Sequence, residues 1–180
     1  MIFLLTGESG SGKTTLLNEL VLIFSNYGIK AGGFTAFGMW EDGERSGFTL
    51  HDILNGKDYP LARTEKPGSE MLGRFTFDEE TLLLGNRLLQ EQSENPLIDI
   101  IIIDEVGPLE IKGGGWAPSI GLLSGSQKHQ LWVVRPWLVE QVPERWKFLP
   151  GGIFPVSANS AASVFSTING VMFPEKDGSK

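Results

Sequence analysis

Gly7-Glu8-Ser9-Gly10-Ser11-Gly12-Lys13-Thr14-Thr15 reads as glycine, four further residues, then Gly-Lys-Thr, the spelling of a phosphate-binding loop. Each residue type has a physical reason. The glycines let the backbone fold tightly enough for consecutive N–H groups to point inward at an anion. Lys13 reaches β- and γ-phosphates, and the Thr14 hydroxyl is a ligand for Mg²⁺. The helix that starts here turns its partly positive end to the same anion. Working outward, residues 1–6 form an apolar run of strand length. Residues 13–27 carry Leu16, Leu17, Leu20, Val21 and Phe24 at helical spacing. Strand, glycine-rich turn and helix are the context the motif requires.

A second signal lies far along the chain, at Ile98-Asp99-Ile100-Ile101-Ile102-Ile103-Asp104-Glu105. Residues 97–103 are nearly unbroken isoleucine, the signature of a strand buried on both faces, as central parallel strands are. Open α/β sheets bind ligands at the C-terminal ends of their strands, which is where Asp104 falls. A carboxylate there can hold Mg²⁺ directly or through water. Glu105 follows at once and can orient and deprotonate an attacking water. Asp99, at the other end, reads as structural.

Between and beyond these signals the chain alternates strands and helices. Residues 30–40 are extended, 41–44 (Glu-Asp-Gly-Glu) form a hairpin turn, and 45–50 are the return strand. A turn at Asn55-Gly56 leads to a strand at 59–63, a loop at 64–73 and a strand at 74–77. A run of short antiparallel strands is thus inserted where a plain doubly wound fold would place one crossover. Asp78 caps a helix over 81–92. A long segment, 105–118, contains Gly113-Gly114-Gly115. After it come a short helix at 119–126, a strand at 130–134, a helix at 136–142, a strand at 152–156 and a terminal helix at 161–168. Residues 174–180 read as a frayed tail. The expectation is one α/β domain over residues 1–180: a three-layer sandwich with a mainly parallel central sheet and an inserted antiparallel hairpin region.

Composition narrows the function further. The chain of 180 residues has a formal net charge of −7, which argues against non-specific binding to nucleic acid or an anionic membrane. It has no cysteine, so disulfides and thiolate metal sites are excluded. His51 and His129 stand apart, with no zinc-ligand spacing. No apolar run is long enough to span a bilayer. Residues 1–6 lack the basic start of a secretory leader. A cytoplasmic location is expected.

Arg135 follows the strand at 130–134 and so falls on the ligand edge of the sheet with Lys13 and Asp104. A guanidinium there can neutralise charge growing on a γ-phosphate. Arg45, Arg63 and Arg74 belong to the inserted region and read as surface residues or ion-pair partners more than as site residues. Trp116, Trp137 and Trp146 could stack on a base, though packing explains each. Glu110 reads either as an acid that supports the site from behind or as a solvated one.

These residues resemble a family, the small thermophile-type nucleoside-triphosphatases. The likeness rests on Thr6-Gly7 through Thr15, Gly32-Gly33-Phe34-Thr35, and Gly47-Phe48. It continues through Asp52-Ile53-Leu54-Asn55-Gly56, Leu61-Ala62-Arg63 and Asp104-Glu105-Val106-Gly107-Pro108-Leu109-Glu110. It covers roughly the first two-thirds of the chain, and its last phrase is more family-specific than the loop. The resemblance implies Mg²⁺-dependent hydrolysis of nucleoside triphosphates, with loose base selection, on a RecA-like P-loop NTPase core. The expected machinery is Gly7, Glu8, Ser9, Gly10, Ser11, Gly12, Lys13, Thr14 and Thr15 on the nucleotide, Thr14 and Asp104 on the metal, and Lys13, Glu105 and Arg135 in catalysis. Two other readings share the phosphate-binding parts: a phosphotransferase with a nucleoside or small-metabolite acceptor, and a slow nucleotide switch. The scattered arginines weigh against the first. The absence of an Asn-Lys-X-Asp base-reading motif weighs against a GTPase of the second kind.

Overall fold

A computed structural model describes residues 1–64, 70–72 (backbone) and 74–174. Among the described residues nine strands form one sheet: β1 Ile2–Thr6, β2 Ala31–Glu41, β3 Glu44–Asp52, β4 Lys57–Arg63, β5 Glu70–Leu72, β6 Phe75–Phe77, β7 Ile100–Val106, β8 His129–Val134 and β9 Gly152–Pro155. Their order is β5-β6-β4-β3-β2-β7-β8-β1-β9. The five from β2 to β9 run parallel, and β3, β4, β6 and β5 extend the sheet antiparallel. The helices are α1 Lys13–Asn26, α2 Glu79–Glu94, α3 Pro108–Ile111, α4 Ala117–Leu123, α5 Gln141–Trp146 and α6 Ala161–Met172.

Helices cover both faces. Leu16, Leu17, Leu20 and Phe24 of α1, with Val164 and Ile168 of α6, pack on Phe3, Leu5, Ile100, Ile102 and Val133. Leu82, Leu88 and Leu89 of α2, with Ile120 and Leu123 of α4, pack on Leu4, Ile101, Ile103, Trp132 and Val134. Consecutive isoleucines of β7 therefore enter opposite cores, which is why that stretch carries no polar alternation. The same alternation sends Asp104 to the α1 face, beside Ile100 and Ile102. A buried polar link ties the inserted strands to the parallel ones. Gln92 of α2 accepts from the Gly33 N–H at 2.7 Å and donates to the Asp52 carboxylate at 3.0 Å.

Several expected boundaries move. The strand expected over 97–103 runs from Ile100 to Val106. Asn95 starts a turn by accepting from the Leu97 N–H at 2.9 Å, and Asp99 accepts from the Lys30 N–H at 2.7 Å. The segment 105–118 contains α3, with Pro108 in its first turn, and the start of α4. The helix expected over 136–142 is a 3-10 turn, Pro136–Leu138, followed by α5. Pro143 lies in the first turn of α5, where a missing N–H costs no helical bond. In the loop expected over 64–73, Glu70–Leu72 is a strand, while 65–69 and 73 lie outside the described residues, as do 175–180 of the expected tail.

Candidate phosphate-binding site

The loop after β1 leads into α1 through Gly12, whose φ of 89° lies in the left-handed region that L side chains avoid. No side chain caps α1, so its first N–H groups are left for a ligand. Lys13 is buried and folds back over the loop. Its Nζ donates to the Gly7 and Glu8 carbonyls, each at 2.7 Å. Burial lowers its pKa, Glu105 and Asp104 oppose that shift, and Arg135 adds to it.

The register brings the second signal to the same edge. Thr6 of β1 and Val106 of β7 both pair with Val134 of the intervening β8, two strand spacings or roughly 10 Å apart. Asp104 is 2% exposed. One carboxylate oxygen accepts from the Ala36 N–H at 3.0 Å and the other from the Glu105 N–H at 2.9 Å. Burial first, then the neighbouring Glu105 charge, pushes its pKa up to about 7. A bulge follows, because the register shifts between Ile103 and Val106 of β7 against β8. Within it Glu105 has φ 60°, a conformation costing roughly 1–2 kcal/mol in a non-glycine residue. Glu105 faces Arg135, with Nη2 to Oε2 3.6 Å.

A cavity of about 370 Å³ holds Gly12, Lys13, Thr14 and Thr15 on one wall and Gly38, Trp40, Arg45 and Glu105 on the other. Arg45, expected on the surface, instead lines this cavity. Its guanidinium lies 4.9 Å from the Trp40 ring and 5.2 Å from the Phe48 ring. Among the described residues its Nε is buried with no hydrogen-bond partner, and no carboxylate pairs with it. Gly38 makes the room: a Cβ there would sit 2.9 Å from that nitrogen. Arg135 lines a larger adjoining cavity instead. Arg74 is tied to Glu44 at 2.9 Å, and Arg63 lies 3.7 Å from Glu41. Trp146 packs edge-on against Trp132 in the core. Trp116 is buried against Phe34, and Trp137 is exposed. Nothing in the spacing of the hairpin singles out Arg45. Its neighbours across the turn, Gly38 and Trp40, are the only trace.

Glu110 is a structural acid. Its carboxylate accepts from the Gly107 N–H at 2.8 Å and the Trp116 N–H at 3.2 Å, so it staples α3 to the start of α4. Burial pushes its pKa up to about 7 against those hydrogen bonds. The unfolded chain releases this proton near pH 4.5, so between about 4.5 and 7 the folded state binds more protons. Stability from this group therefore falls as pH rises through that window. Glu110→Gln, neutral throughout, is expected to flatten the fall, which from this group is on the order of 3 kcal/mol. Calorimetric unfolding on either side of that window measures it.

The donors present fit magnesium. The Thr14 hydroxyl and the Asp104 carboxylate are hard oxygen ligands, and Mg²⁺ takes one or two such groups together with phosphate oxygens. Asp104 is a buried acid in need of counter-charge, and its oxygens keep spare lone pairs. Among the described residues no group of three His, Asp or Glu side chains could hold a metal alone.

A loop with Lys13 and Thr14 at the head of α1, and an acid pair at the tip of the isoleucine strand, define an α/β protein of the P-loop fold. A sequence model of the NTPase family matches residues 2–168, and the chain belongs to that family. Among its relatives, Nucleoside-triphosphatase THEP1 of Thermofilum pendens is 32% identical over 120 residues, 66% of this chain and 64% of the relative. That of Pyrococcus abyssi is 32% identical over 146 residues, 78% of each chain. The matches to the Thermofilum and Thermotoga (strain RQ2) proteins span 64% and 60% of those relatives' lengths. Two solved structures share the fold: THEP1 from Aquifex aeolicus, with TM-score 0.65, 23% identity and coverage of 87% and 90%, and a human cancer-related nucleoside triphosphatase, with TM-score 0.71, 21% identity and coverage of 97% and 98%.

Proposed function

We propose that this chain is a Mg²⁺-dependent nucleoside-triphosphate hydrolase that releases the γ-phosphate. The observation that carries the reading is the shared edge of the sheet, where Thr6 and Val106 are both in register with Val134. That register brings the anion-binding loop and Glu105 to one cavity, with Asp104 buried behind Glu105. The names of the relatives support the same activity. Bound magnesium would supply charge that offsets the phosphate oxygens, and Thr14 and Asp104 are the residues that would hold it. Gly7 to Thr15 hold the triphosphate tail by backbone N–H groups. Lys13 leaves its two carbonyls for the β- and γ-phosphates. Glu105 orients water and takes its proton. Arg135 positions that carboxylate, and Arg45 joins Lys13 against charge on the transferring group. Positioning and electrostatics of this kind account for most catalysis in phosphoryl transfer.

The single sheet supports reading residues 1–180 as one domain. The absence of cysteine and the charge of −7 support a cytoplasmic protein with no nucleic-acid partner. No helix among the described residues is long and apolar enough to cross a membrane. Purified protein given Mg²⁺ and ATP or GTP alone is expected to release inorganic phosphate, and EDTA to stop it. Arg45→Ala is expected to lower turnover by about 10²–10³, with triphosphate binding weakened less. No phosphate release at saturating Mg²⁺-nucleotide would overturn the assignment.

A further inference from the structure

Hydrolysis needs space for one water in front of the γ-phosphate. The structure has far more. A cavity of about 840 Å³ opens beside the phosphate cavity and shares Ser9, Gly10, Trp40, Arg45 and Glu105 with it. The two spaces therefore meet at one neck. A water takes up about 30 Å³ in the liquid, whereas sites for small organic molecules span about 300–1,000 Å³. Beyond the neck the larger space is walled by Leu61, Phe77, Leu82 and Trp116. These come from the inserted strands, from α2 and from the head of α4.

That wall is preformed. Trp116 sits 4.6 Å from the Phe34 ring, its N–H is held by Glu110, and a Cβ at Gly85 would collide with its indole. The charges around the space are largely spoken for. Arg74 pairs with Glu44, Arg135 with Glu105, and Glu110 is bound by backbone N–H groups. What remains is a largely apolar chamber suited to a ring, ending at the Glu105 carboxylate and the Arg45 guanidinium.

We propose that this chamber seats a second substrate, an apolar ring-bearing alcohol, whose hydroxyl enters the neck beside Glu105 and accepts the γ-phosphoryl group in place of water. The inference rests on the reading that the triphosphate tail lies on Gly7 to Thr15. The alcohol oxygen bonds to the γ-phosphorus as the bond to the β,γ-bridging oxygen breaks. The bridging oxygen keeps the electron pair and leaves with the diphosphate, and the hydroxyl proton passes to Glu105. No oxidant or further reactant is needed. A protonated amine has no lone pair for attack. Water is then the acceptor only while the chamber is empty of substrate.

The test uses the full chain with Mg²⁺ and ATP labelled on its γ-phosphate, with and without indole-3-ethanol or 2-naphthaleneethanol. Either alcohol is expected to bind saturably in calorimetric titration. Label is expected in the phosphate monoester, with inorganic phosphate reduced in proportion. Leu82→Trp and Leu61→Phe, checked for folding by circular dichroism, fill the chamber away from the neck. Each is expected to cut monoester formation at least tenfold and leave alcohol-free phosphate release within twofold. Phosphate release unchanged by both alcohols, with no monoester, overturns the acceptor chamber and leaves the hydrolase reading intact. Monoester formed without alcohol-free phosphate release supports the chamber and overturns the hydrolase reading. Monoester formation undiminished in both filled variants also overturns the chamber.

Discussion

Lys13→Ala is expected to lower kcat/KM for triphosphate hydrolysis by about 10³ or more, with binding and turnover both affected. The size follows from where the ammonium sits. It is a buried cation on a loop that otherwise offers only N–H dipoles, and loss of one such charge in a water-poor site costs about 3–4 kcal/mol of transition-state stabilisation. The same Nζ holds the Gly7 and Glu8 carbonyls at 2.7 Å. The variant therefore also loses bonds that brace the loop, and each hydrogen bond from a charged donor contributes about 1.5–3 kcal/mol. Two measurements separate the effects. Calorimetric titration with a non-hydrolysable triphosphate reads binding, and thermal unfolding without nucleotide reads bracing. Binding at parent affinity would show that the ammonium serves only to brace the loop.

The phosphate loop, the buried strand and the acid pair were legible because each is written in consecutive residues. Backbone chemistry alone dictates Gly-x-x-x-x-Gly-Lys-Thr, and burial on both faces dictates the isoleucine run. The cap at Asp78 was equally local: its carboxylate accepts from the Thr81 N–H at 3.0 Å. What stayed hidden depends on residues far apart in the chain. Arg45 becomes a site residue only because the hairpin folds its guanidinium between Trp40 and Phe48, over Gly38. Glu110 becomes structural only because α4 returns the Trp116 N–H to it. The helix at Pro108 was too short to show a period, although Pro108 and Glu110 are the first-turn proline and reach-back acid of a helix start. The hairpin insertion itself was legible, but the chamber beneath it was not, because its walls come from separate elements.

Glu105→Gln is expected to keep triphosphate binding within about threefold and to lower turnover by about 10²–10⁴, the usual weight of a general base. The amide fills the same space and still faces Arg135, but it cannot take a proton. The backbone at this position offers an independent check. Glu105 is held at φ 60° in the bulge, a conformation that glycine adopts freely. Glu105→Gly is therefore expected to raise the unfolding free energy by about 1 kcal/mol while abolishing turnover. A residue retained for packing would show the opposite, lower stability on truncation. Strain at the carboxylate that faces both cavities is what a site selected for chemistry over stability leaves behind. Should Glu105→Gln turn over at the parent rate, the proton acceptor lies elsewhere and the strain has no catalytic meaning.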